Sequence, residues 1–223
     1  MKKLSLIIIS GLYLFTSAAF AEIGVNIGVS GSAGIFGATG EETHSGKTAA
    51  SITSSDQATE IAAVGYGSIF IEKELGMIAI GIDYVPTPFE SETAETAKQD
   101  DQTSNPTAAV KTVATNTVQV DMTDLTTVYV SLMVTENAYI KAGYATMDVE
   151  TNENLGTGSS YGNTSLDGTV YGVGYQKDLD AMFVRVEGSY MDFDGVSLTA
   201  NDNTIKLKAL DGVTGKISIG KTF

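Results

Sequence analysis

Ile23-Gly24-Val25-Asn26-Ile27-Gly28-Val29-Ser30-Gly31-Ser32-Ala33-Gly34-Ile35-Phe36 repeats with period two. The odd positions, Ile23, Val25, Ile27, Val29 and Ile35, are aliphatic, with only Gly31 and Ala33 between them. The even ones, Gly24, Asn26, Gly28, Ser30, Ser32 and Gly34, are small or polar, and Phe36 closes the run. Period two is the mark of a strand, whose successive side chains point to opposite faces. Size indicates which face turns inward. A soluble barrel fills its centre with bulky apolar side chains, whereas small polar residues suit a narrow interior whose greasy side faces lipid. The same split recurs where Met182, Val184, Val186 and Tyr190 alternate with Phe183, Arg185, Glu187 and Ser189.

Extended along the chain, this pattern predicts eight strands, at 23–37, 58–73, 77–86, 117–134, 138–149, 168–177, 181–193 and 204–223. Their connections alternate. Long Thr-, Ser-, Asn- and acid-rich segments at 38–57, 87–116, 150–167 and 194–203 are interleaved with tight turns at Glu74-Leu75-Gly76, Thr135-Glu136-Asn137 and Asp178-Leu179-Asp180. An even number of strands with short turns at one end and long loops at the other is the plan of an all-β, antiparallel, up-and-down eight-stranded transmembrane β-barrel. Tyr175 and Phe223 fall near the turn end, and Tyr84, Phe89, Tyr144 and Tyr190 toward the loop end, as two aromatic girdles would require. On the second strand Ile61, Ala63, Ile69 and Ile71 are assigned to the outer face.

The front of the chain supplies an address. Lys2 and Lys3, an apolar run from Leu4 to Phe15 and the small residues Ala19 and Ala21 around Phe20 form a secretory signal, predicted to be cleaved after Ala21. Residues 1–21 are therefore expected to leave and 22–223 to form one barrel domain. The apolar run is shorter than the roughly 20 residues of a membrane-spanning helix. With 24 Gly and 3 Pro, and Val, Ile and Tyr carrying much of the apolar content, the remainder favours strands. There is no Cys, so no disulfide framework is expected. The formal charge of −14 becomes more negative once Lys2 and Lys3 are lost, which argues against nucleic acid as a partner.

These features together resemble the small outer-membrane barrels of the opacity-protein, OmpX and OmpA-barrel type in the porin family, and the resemblance covers the whole chain after the signal. The architecture carries most of the resemblance; on the last strand Val213, Ile217, Ile219 and Phe223 match a loose terminal pattern that in the family is read by the barrel-assembly machinery, and Lys221 stands where the family usually has an apolar or aromatic residue. The resemblance implies passage with periplasmic chaperones, insertion beside outer-membrane lipid including lipopolysaccharide, periplasmic termini and extracellular loops.

An eight-stranded barrel is just wide enough for its own side chains. The inward set is expected to include Glu72, Asp83, Asp121, Lys141, Arg185, Glu187 and Lys216, of both signs, so a salt-bridge network with trapped water should plug the interior. Arg185, the only arginine, would sit at its centre. A structural or surface-interaction role, adhesin-like in one version, follows, with the acidic segment 87–116 expected to be mobile and without a core of its own. A small-solute or hydrophobic-ligand conduit is the alternative, and a lipid-modifying enzyme a lower one. A soluble lipocalin-like barrel would need the opposite facing of the strands.

No catalytic residue, cofactor or metal site is assigned. His44, the only histidine, lies in Gly40-Glu41-Glu42-Thr43-His44-Ser45-Gly46, where adjacent Ser45 is not held in attack geometry. Gly65-Tyr66-Gly67 and Gly172-Val173-Gly174 sit inside predicted strands and are not phosphate loops. Asp192-Phe193-Asp194-Gly195 lacks the ligand spacing of a calcium hand.

Overall fold

The computed structural model describes residues 24–44, 54–87, 89–90, 94–100, 112–154, 161–180, 182–200 and 203–223. The expected signal, with Ala19 and Ala21, lies outside the described residues. The chain is all-β. The strands are β1 (Val25–His44), β2 (Ser54–Leu75), β3 (Ile78–Tyr84), β4 (Phe89–Glu90), β5 (Ala94–Asp100), β6 (Thr112–Met133), β7 (Ala138–Asn154), β8 (Thr164–Leu179), β9 (Met182–Phe193), β10 (Val196–Ala200) and β11 (Asn203–Thr222).

All pairings are antiparallel, and the main path runs β1-β2-β3-β6-β7-β8-β9-β11. β11 then pairs back onto β1 from Asn26↔Thr222 to His44↔Asn203, so the barrel-like sheet returns to its start. The short strands β4 and β5 lie on β6, and β10 folds back on β11. At one end the turns are tight. Gly76, at φ +71°, carries the β2–β3 turn in a conformation open to glycine, and Thr135 Oγ1 accepts the N–H of Ala138 at 2.9 Å in the β6–β7 turn. The start of β1 and the end of β11 join this end, where Phe223 N–H donates to the Val25 carbonyl at 2.8 Å.

The strands outrun the predicted ones at the loop end. β1 continues to His44 and β7 to Asn154, and Ala94–Asp100 and Thr112–Met133 form a hairpin within what reads from sequence as the loop 87–116. That expectation is corrected for the strand residues; 101–111 lie outside the described set. The reason is propagation: a register established below extends upward one pair at a time through Thr- and Val-containing sequence that favours strands.

Strand faces follow the predicted sense in the turn-side half. Val29, Ile35, Ile61, Ile69, Ile71, Ile80, Val130, Val186, Val213, Ile217 and Ile219 are exposed, while Asn26, Ser30, Ser68, Glu72 and Arg185 are buried. The inward face is filled by a repeated device in which an aromatic ring lies over a glycine directly across the ladder. Phe70 faces Gly28, Tyr129 faces Gly81, Tyr139 faces Gly174 and Phe183 faces Gly220. A Cβ on any of these glycines would overlap the ring. Ring and glycine together occupy the width of two side chains, which lets large rings fit a narrow interior.

One bulge alters the phase. Thr123 pairs with Asp148 and Thr126 with Thr146, so Asp124, at φ +55°, and Leu125 share Met147 as their opposite. The extra residue moves every position of β6 before it to the other face.

Gly174→Ala should lower stability by roughly 1–3 kcal/mol because the new methyl collides with the Tyr139 ring. Gly188→Ala, whose Cβ would enter open space, should stay within about 0.5 kcal/mol of the parent. Urea unfolding of the two variants side by side in lipid vesicles measures the difference.

Candidate functional site

The interior has two storeys. In the turn-side storey Arg185, on β9, donates through Nη2 to Glu72 Oε1 at 2.6 Å and through Nη1 to Glu72 Oε2 at 3.1 Å. Such a two-pronged pair is the strongest geometry open to a guanidinium and a carboxylate. Nε and Nη2 also donate to Gln176 Oε1 at 3.1 and 2.5 Å. The guanidinium carbon lies 4.9 Å from the centre of the Phe183 ring, 5.1 Å from that of Tyr139 and 5.6 Å from that of Phe70. Glu72 is held further by Asn26 Nδ2 at 2.9 Å and Tyr129 Oη at 2.8 Å. A charge only 8% exposed is thus paired, hydrogen-bonded and bracketed by rings.

Above it Lys141 Nζ pairs with Glu187 Oε1, which also accepts from Ser189 Oγ at 2.8 Å, while Tyr139 Oη donates to Glu187 Oε2 at 2.8 Å. Lys216 Nζ meets Asp83 Oδ2 at 2.8 Å, joined there by Ser68 Oγ at 3.2 Å. Glu72, Asp83 and Glu187 are thereby matched one to one by Arg185, Lys216 and Lys141. Tyr139 bridges two of the pairs, touching Arg185 with its ring and Glu187 with its hydroxyl. Between the storeys, Tyr66, Asp83, Lys141, Glu187, Thr214 and Lys216 help line a cavity of about 20 Å³, room for roughly one water.

The loop-side storey is apolar. Val85, Leu125, Met147, Val149, Leu166, Val170, Met191, Phe193 and Leu210 pack into one buried cluster, with Phe36 and Tyr66 against it. A wholly charged and polar filling, as expected from sequence, is therefore corrected for this half. Alternation carries a legible trace of the change. On β7 the outward residues run Ile140 and Tyr144 and then Asp148 and Glu150, while the inward ones run Lys141 and then Ala145, Met147 and Val149. On β9 outward Val186 and Tyr190 give way to Asp192, and inward Glu187 gives way to Met191 and Phe193. The greasy face switches from outside to inside at the level of exposed Tyr144, Tyr171 and Tyr190.

Of the residues expected inside, Glu72, Asp83, Lys141, Arg185, Glu187 and Lys216 meet in the network above. Asp121 does not. The Asp124 bulge sets it opposite Glu150 on the outer face, where Asn152 Nδ2 donates to its Oδ2 at 2.7 Å. Gln176, Tyr129, Tyr139 and Asn26 are site residues that a search for charges overlooks; their inward parity was the available clue. On the terminal strand Val213, Ile217 and Ile219 face outward, and Lys221 places its ammonium 4.8 Å from the centre of the Phe223 ring. Among the described residues no three His, Asp or Glu side chains converge as metal ligands. The side chain of His44 lies outside the described set.

No protein-family model matches the chain, and no curated protein matches it. Solved structures similar in shape include Ail, the attachment invasion locus protein of Yersinia pestis, in complex with the heparin analogue sucrose octasulfate, at 11% identity and TM-score 0.37, covering 88% of this chain and 99% of that one. The outer membrane protease OmpT from Escherichia coli is similar at 10% identity and TM-score 0.45, with 93% and 99% covered. Neisserial surface protein A is similar at 10% identity and TM-score 0.40, with 88% and 97% covered.

Glu72→Leu should destabilise the fold by about 3–5 kcal/mol, since it strands the Arg185 charge in a closed interior. Adding Arg185→Met should recover most of that loss. Urea midpoints of the single and double variants measure the coupling.

Proposed function

We propose that the chain is an eight-stranded up-and-down barrel crossing the outer membrane, with both termini periplasmic and its long hairpins outside. It serves as a sealed structural or surface-interaction protein, adhesin-like and not catalytic. The observation that carries this reading is the switch of the apolar face. In the turn-side half the outward residues are apolar or aromatic from Met182 to Tyr190 on β9, with Gly188 among them, and from Tyr171 to Leu179 on β8, interrupted there by Lys177 near the turn. These lengths suit the roughly 9–11 residues that a tilted strand needs to cross a bilayer. Beyond the tyrosines the barrel has the facing of a water-soluble one, acidic outside and apolar within, as a part projecting into water requires.

The two fillings support the sealed role. A bracketed ion pair closes the turn-side half and a packed apolar cluster the loop-side half. Exposed hairpins on a rigid scaffold are where a surface partner would bind. The small cavity beside Lys141, Glu187, Asp83 and Lys216 favours a second reading, a narrow ion path past paired charges.

Single-channel recording of the mature chain in planar bilayers separates the two readings. The sealed role predicts a silent parent and, because the apolar cluster still closes the loop-side half, a silent Arg185→Ala variant as well; steady ion-selective steps from the parent would put the ion path first. For the membrane placement, Val130→Arg on the outward face should cost about 2–4 kcal/mol in vesicles if that face meets the bilayer core. A water-facing strand would tolerate the change within about 0.5 kcal/mol. His44→Ala is expected to leave the phospholipids and lipopolysaccharide of expressing cells unaltered, as mass spectrometry of their extracts would record.

A further inference from the structure

Two rims of opposite charge frame the greasy band. At the loop end three outward tyrosines each reach an aspartate on the next strand of the wall. Tyr84 Oη donates to Asp124 Oδ1 at 2.5 Å, Tyr190 Oη to Asp211 Oδ2 at 3.3 Å, and the Tyr144 hydroxyl to Asp167. The geometry is the same each time. Tyr84 stands opposite Thr126, Tyr144 opposite Thr169 and Tyr190 opposite Val213, and the acid lies two residues nearer the loop end than that partner. At the turn end Lys73, Lys177 and Lys221 each follow an outward residue, Ile71, Tyr175 or Ile219, by two positions and so share its face.

The stagger of the sheet brings each set to one level. In a barrel of tilted strands a row of paired residues climbs as it crosses the wall, so residues at one height step back along the rows. The row of Lys177 runs through Val184 to Ile219, two residues short of Lys221, and the row of Lys221 runs through Ile27 to Ile71, two short of Lys73. The tyrosines step alike. The row of Tyr84 reaches β7 at Thr146, two beyond Tyr144, and that of Tyr144 reaches β9 at Asp192, two beyond Tyr190. On β8 Asp167 and Lys177 are ten residues apart, as are Asp211 and Lys221 on β11, which matches the roughly 9–11 residues of a bilayer-crossing strand.

The rim lysines have no acid of their own. Among the described residues none of the three ammoniums lies within salt-bridge distance of a carboxylate, whereas Lys141, Lys208 and Lys216 are all paired. The Phe223 ring, 4.8 Å from Lys221 Nζ, helps to hold that ammonium at the edge of the band. A lysine there extends its stem along the apolar wall and its charge into the headgroups, where the complementary groups are lipid phosphates.

We infer that the lysine rim is a binding site for anionic phospholipids, whose headgroup phosphates it takes in the leaflet around the tight turns. The aspartate rim repels the same groups, so only the turn end offers them a site. The inference deepens the membrane reading and rests on it.

Native mass spectrometry of mature barrels released from vesicles mixed from phosphatidylcholine and phosphatidylglycerol counts the lipids that stay bound. The parent should retain phosphatidylglycerol at roughly fivefold or more above its share in the vesicles. Lys73→Gln, Lys177→Gln and Lys221→Gln together should remove the enrichment, while the corresponding arginine triple keeps it and Lys206→Gln, at the loop end, leaves it unchanged. The inference is overturned if the parent shows no enrichment, if the glutamine triple keeps it, if Lys206→Gln alone removes it, or if inorganic phosphate at the concentration of the lipid phosphate displaces the lipid. Insertion is scored separately, by the heat-dependent mobility of the barrel on gels. A parent that inserts without enrichment sinks the lipid site alone; one that never inserts sinks the membrane reading with it.

Discussion

Closure of the backbone ladder is the constraint on which everything else in this molecule rests. A strand in hydrocarbon has no water to satisfy an unpaired N–H or C=O, so a sheet can cross a bilayer only if its first and last strands meet. Here β1 and β11 pair from Asn26↔Thr222 to His44↔Asn203. Once the ring is closed, its narrow bore sets the size of whatever lies within, and the pleat then assigns each side chain to that bore or to the outside. The glycine across from each large ring is a direct result, since two full side chains would not fit where Tyr139 meets Gly174 or Phe183 meets Gly220.

The filling differs between the halves because the surroundings do. Below the tyrosine level the outer face carries the aliphatic side chains, and the interior receives the polar ones, which must satisfy one another. Arg185 is tolerated there because Glu72, Gln176 and three rings together replace its water. Above that level the acids move outward, to positions such as Asp148, Glu150 and Asp192, and the interior becomes an ordinary apolar core. A single strand such as β7 thus carries two opposite amphipathic patterns end to end.

Much of this was legible. Strict alternation in β1 and β9 assigned their faces correctly, and the Gly76, Thr135 and Asp178 regions marked the tight turns. The apolar loop-side core was harder to see, because the acid-rich composition of 150–167 and 194–203 draws attention to solvent while the inward partners of those acids are spread over five strands and the segment after β3. Asp121 was misplaced for a local reason. Parity counted back from Tyr129 is valid only while the ladder is regular, and the left-handed turn at Asp124 inserts one residue that leaves no mark on the alternation of the sequence.

By itself the sequence determined the turn-side course of the long strands, the tight turns and the outward face there, because these depend on a two-residue period and on the local preferences of glycine and β-branched residues. Only the tertiary structure decided which charges pair. Arg185 finds Glu72, 113 residues away, rather than its near neighbour Glu187, because the stagger of the closed sheet brings their side chains to one height across the bore.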